Sequence, residues 1–116
     1  MVLLGLFGLV ASAAAADLTG AWRLDLSPNF SGEGQTLLCT VKQADVTLSA
    51  DCEGGQFTGK MEGSKVTLQV KTGLNSELTA TFDGTVNEAG TAISGKWRLP
   101  DSRGEQKIGE FTLTRR

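Results

Sequence analysis

Few side chains in this sequence are equipped for chemistry. There is no His and no Tyr, and there are only two Cys. Without imidazole the commonest general base and metal ligand is missing, which excludes His-dependent catalytic triads and His-based zinc sites. The two thiols, Cys39 and Cys52, supply half a zinc site at most. Their separation is also not the C-x-x-C spacing of a redox pair. A structural disulfide between them is the remaining reading. It would contribute roughly 3 kcal/mol in the chain-entropy model.

Carboxylates are the other candidates. Glu33, Asp51, Glu53, Asp101 and Glu105, together with Arg103, fall in or beside turn-like stretches. Paired carboxylates can do general acid–base work, but no spacing fixes two of them at a defined separation. No EF-type calcium spacing is present either. No catalytic residue, metal or cofactor is therefore assigned, and the chain is expected not to be an enzyme. Asn29-Phe30-Ser31 has the form of a glycosylation sequon.

Trp97, Phe57, Leu78 and Leu99 are the remaining candidates, as the lining of an apolar ligand site. Whether they line a pocket or simply fill a core depends on the elements that position them. The glycines Gly59, Gly95 and Gly109 leave a similar choice between opening space and bending strands.

Those elements belong to a chain of 116 residues with 11 basic and 13 acidic side chains, a net charge of −2. The length suits one domain. The charge leaves no footprint for nucleic acid. Residues 1–16, MVLLGLFGLVASAAAA, carry no charged side chain. An apolar run is followed there by Ala14-x-Ala16, which fits a secretory cleavage site before Asp17. The run is too short to span a membrane. The expected organisation is a signal peptide over 1–16 and a single domain over 17–116, exported to a periplasm or outside the cell. A basic n-region is lacking, so a start upstream of Met1 also fits.

The rest of the chain alternates with period two. Trp22, Leu24 and Leu26 share one face of a first segment. Leu37, Cys39 and Val41 share the next, then Val46, Leu48, Ala50 and Cys52. Phe57, Gly59 and Met61 follow, then Val66, Leu68 and Val70. Leu78, Ala80 and Phe82 form a sixth set, Ile93, Gly95, Trp97 and Leu99 a seventh, and Phe111, Leu113 and Arg115 the last. The connections are rich in Gly, Asn, Asp, Ser and Pro and too short for helical crossovers. An all-β fold follows: an eight-stranded antiparallel up-and-down barrel, a meander, with a two-sheet sandwich as the alternative. Cys39 opposite Cys52 pairs Val41 with Ala50 and Gln43 with Leu48, leaving a four-residue loop over 44–47.

In a meander the connections alternate between two ends. One end receives short turns over 44–47, 62–64 and 87–90. The other receives longer stretches over 27–34, 72–76 and 100–106, and so forms a mouth. Closing the barrel brings Arg115 beside Trp22 at the short-turn end, where a guanidinium over an indole would plug the floor.

Gly20-x-Trp22 on the first strand and Arg115 at the end of the last resemble the calycin superfamily, which includes lipocalins, fatty-acid-binding proteins, avidins and bacterial metalloprotease inhibitors. Leu18-Thr-Gly-Ala-Trp22 and Ser94-Gly-Lys-Trp97 look most like short, avidin-like exported bacterial barrels. The resemblance implies an eight-stranded barrel that binds a ligand. Function transfers poorly across this fold, and individual members fit unevenly. Arg23-Leu24-Asp25 stands where avidins place Asn and then Ser, and the Tyr that avidins use is absent. No segment supplies the helical lid of fatty-acid-binding proteins. Only Asp17 and Leu18 precede Thr19, where the inhibitors carry an N-terminal trunk. The expected function is a binding module for a small apolar or amphiphilic ligand at the open end. The alternative is an interaction or inhibitor module that meets an exported protein through the mouth loops.

Overall fold

The computed structural model describes residues 17–28, 33–72, 78–100 and 105–116. The expected export segment over 1–16 lies outside these residues, as do Asn29, Phe30, Ser31, Asp101 and Arg103. Eight strands are present: β1 (Gly20–Ser27), β2 (Gln35–Ala44), β3 (Thr47–Cys52), β4 (Gly55–Glu62), β5 (Lys65–Thr72), β6 (Leu78–Val86), β7 (Ala92–Pro100) and β8 (Gln106–Arg115). They form a closed barrel in sequence order, and every neighbouring pair is antiparallel. Closure through β8 and β1 sets Trp22 opposite Arg115 and Leu24 opposite Leu113. The meander expected from the alternation is thus the observed fold, and the sandwich is excluded.

Alternation sets what each face meets. The inward positions form one continuous apolar core, and among the described residues no polar or charged side chain is buried. The outward positions carry Thr, Lys, Ser, Gln, Asp and Glu, as in Lys65-Val-Thr-Leu-Gln-Val-Lys71 of β5. Transmembrane barrels have the reverse arrangement, with an apolar band facing lipid. No helix among the described residues is long and apolar enough to cross a membrane.

Two glycines show how so small a barrel closes. A Cβ on Gly59 would lie 1.8 Å from the Thr67 carbonyl oxygen, and one on Gly95 would lie 1.9 Å from that of Asp83. The neighbouring strand's backbone therefore fills the space that a side chain would need. Here the two glycines permit a close approach of neighbouring backbone and do not open a cavity.

The β2–β3 hairpin corrects one expectation. Ala44 pairs with Thr47, so the ladder runs one pair further than expected and the turn has two residues. Asp45 takes a φ of 60°, a conformation that Asp tolerates better than most residues. Val46 consequently sits in the turn, 51% exposed, and does not begin the inward face of β3. Period two alone cannot tell the last strand position from the first turn position.

Candidate functional site

The two ends of the barrel differ in how the core stops. At the end that carries the β2–β3, β4–β5 and β6–β7 turns, the core is sealed. The segment before β1 crosses this opening and inserts Leu18, which is 1% exposed. Its amide donates to Gln43 Oε1 at 2.8 Å, and its carbonyl accepts the Trp22 indole N–H at 2.8 Å. The Gln43 amide in turn donates to Thr19 Oγ1.

Arg115 covers the other side of Trp22, with its guanidinium carbon 4.6 Å from the ring centroid. Its fork donates to three carbonyls on two segments: Thr19 at 3.0 Å, Asp17 at 2.8 Å and Gly90 at 3.2 Å. Only a planar multi-donor group can serve several acceptors in this way. Gly20 belongs to the same arrangement. Its φ of 141° suits glycine, and a Cβ there would lie 3.1 Å from Arg115 Nη1. The Gly-x-Trp pattern thus has a local physical cause. The Asp17 carboxyl is held below its ordinary range, chiefly by the Thr19 amide that donates to it at 3.0 Å.

At the mouth no equivalent plug covers the core among the described residues. Three apolar residues, Leu37 on β2, Cys52 on β3 and Leu78 on β6, are only partly buried and pack against the core. All three lie at the mouth ends of their strands. Beneath them, Phe57 meets Phe82 edge-on with ring centroids 5.2 Å apart, and Phe82 meets Phe111 in the same way at 5.1 Å. Trp97 lies directly opposite Phe82 on the neighbouring strand. Its indole covers Gly109, where a Cβ would lie 2.6 Å from the ring, and its N–H donates to the Pro28 carbonyl at 3.0 Å.

The four proposed lining residues therefore occupy two levels. Trp97, Phe57 and Leu99 are buried, while Leu78 is partly buried at the rim. Phe82 lies between Phe57 and Phe111, and sequence reasoning placed it only on an inward face. Leu18 and Leu37 were also missed as end-defining residues. Alternation identifies which face a side chain takes but not its height along the barrel axis. That height depends on stagger. The cross-strand row that starts at Trp22, near the floor, passes through Cys39 to Cys52 at the mouth.

The Cys39–Cys52 disulfide is present and joins directly opposed residues. Such a bond is consistent with an oxidising, exported compartment. Beside it, Glu53 Oε1 accepts the Leu38 amide at 2.8 Å, so this carboxylate caps the strand. Among the described residues no three acidic or thiol groups come close enough to hold a metal ion. The chain matches no protein-family model and none of the curated proteins.

Proposed function

We propose that the chain is an exported calycin-type barrel that binds one small apolar or amphiphilic ligand at its mouth. One observation carries this reading: the partly buried apolar residues of the core, Leu37, Cys52 and Leu78, all lie at the mouth, whereas Leu18 and Trp22 seal the floor. Apolar surface that a fold leaves at one end of a concave element is where a ligand gains most from desolvation. Leu78 and Leu37 would contact the ligand first. Phe57, Leu99 and Trp97 would form the surface beneath it, with Trp97 as the reporter. Binding is the whole activity in this reading, with no catalytic step and no cofactor.

Fluorescence tests it. Titration with a medium-chain fatty acid, a lysophospholipid and an anilinonaphthalene dye should give a saturable signal with at least one of them. Leu78→Glu should weaken that binding about tenfold or more, because a carboxylate at the rim would have to be desolvated. Its near-UV circular dichroism should be unchanged. No saturable response to any of the three, together with capture of a defined exported protein, would replace this reading with the interaction module.

A further inference from the structure

We propose that the mouth takes a compact, uncharged ring compound, held against its β2–β6 side, and leaves a long chain outside the barrel. This rests on the ligand-binding reading above and narrows it. A filled interior and an uneven rim carry it.

A channel wide enough for an acyl chain also admits water, so its lining would be accessible. Phe57, Phe82, Trp97 and Phe111 are each at most 5% exposed, and Ala50 and Ala80 are as deeply buried. The glycines add no room. Backbone of the next strand stands against Gly59 and Gly95, and the Trp97 indole covers Gly109. With Leu18 and Trp22 closing the floor, a ligand can lie only as deep as the rim.

The rim is not the same all round. On β7 and β1, Leu99 and Leu26 are buried. From β2 to β6, Leu37, Cys52, Gly55, Thr72 and Leu78 occupy inward positions at the mouth ends of their strands and are only partly buried. Gly55, opposite Cys52, brings no side chain and admits a Val70 methyl, which would lie 3.3 Å from a Cβ there. Thr72, directly opposite Leu78, brings the one hydroxyl of this crescent.

The chemistry selects the occupant. None of these six residues carries a charge. A carboxylate laid on the crescent would be desolvated with no counter-charge among them. A shallow site favours apolar area gathered in a rigid body. A ring covers the crescent without freezing rotors, whereas a flexible chain must order bonds that it cannot bury. The Thr72 hydroxyl suits a hydroxyl group on that ring.

Amide chemical-shift titration tests this with 1-hexanol, 1-octanol, 1-decanol, 2-naphthol and 2-naphthoate. Saturable shifts at Gly55, Thr72 and Leu78 are expected with 2-naphthol. It should bind about tenfold more tightly than 1-decanol, which has the same number of carbons, and about tenfold more tightly than 2-naphthoate. The three alkanols should agree within about twofold, whereas a chain that entered the interior would gain about fourfold per methylene. Three results would each overturn the proposal and leave the ligand-binding reading in place: affinity that climbs steadily from hexanol to decanol, decanol or naphthoate binding as tightly as naphthol, or shifts centred on β7, β8 and β1. No saturable shift with any of the five would also overturn it, and the anilinonaphthalene titration then decides whether the ligand-binding reading falls with it.

Discussion

The floor and the mouth of this barrel are built from the same strands, yet they end the core in opposite ways. At the floor, the core residues Leu18 and Trp22 are fully covered, and only Val46 in the β2–β3 turn stands out as an exposed large apolar side chain. Leu18 fills the hole, Trp22 donates to the Leu18 carbonyl, and Arg115 ties the N-terminal segment to the β6–β7 turn. At the mouth the core reaches the surface at Leu37, Cys52 and Leu78 without an equivalent plug among the described residues. The difference separates a surface built for stability from one left available for contact. Loops on a rigid scaffold are where binding commonly sits. Here the floor supplies the rigidity.

The strongest way to break that contrast is to remove the floor. Trp22→Ala should cost about 3–5 kcal/mol, the usual loss for truncating a fully buried large aromatic. That is a large share of the roughly 5–15 kcal/mol available to such a domain. Leu78→Ala at the mouth should cost about 1–2 kcal/mol, because a partly buried side chain gives up less area than a fully buried one. Urea unfolding followed by fluorescence or circular dichroism measures both. Equal losses would mean that the mouth is packed as tightly as the floor.

Reducing the disulfide is the next largest perturbation. Breaking Cys39–Cys52 should lower stability by about 3 kcal/mol. Unfolding midpoints with and without reductant give the value. A loss of binding that exceeds this loss of stability would place the bond in the recognition surface, since Cys52 lies on the rim.

Arg115→Lys isolates one part of the floor. Lysine keeps the charge but cannot direct a planar fork at the carbonyls of Asp17, Thr19 and Gly90. A loss of about 2 kcal/mol is expected for charge-assisted bonds of this kind. If the lysine variant is as stable as the parent, charge over the indole holds the floor and fork geometry does not.

Much of this was legible in the sequence, and the reason is period two. Strand faces, strand order and the Cys39–Cys52 register all follow from alternation, because a slip of one residue would turn every apolar side chain outward. Position along the axis is not encoded that way. Leu18 lies before the first strand, where no periodicity marks it, and its role depends on a contact with Gln43 from β2. Phe82 alternates like its neighbours, yet only the stagger of β4, β6 and β8 makes it the hub between Phe57 and Phe111.

The smallest effect concerns two carboxyls, one at the floor and one on the wall. Asp25, on the outer face of β1, is held below its ordinary value of 3.8, chiefly by the Thr36 hydroxyl that donates to it at 2.6 Å and also by Arg23. A depressed folded pKa means that its stabilisation is complete above the unfolded value and is lost as pH falls through the folded one. Thr36→Val should raise the Asp25 titration midpoint, read by carboxyl NMR, and leave that of Asp17 in place. Asp17 is also depressed, with the Arg115 charge as the smallest of the causes, and Arg115 donates to its backbone carbonyl. Protonating Asp17 should therefore leave Leu18 seated and the near-UV signal of Trp22 unchanged. A Trp22 signal that moves with the Asp17 titration would show that the floor is held by a surface charge, and the contrast with the mouth would then disappear below that pH.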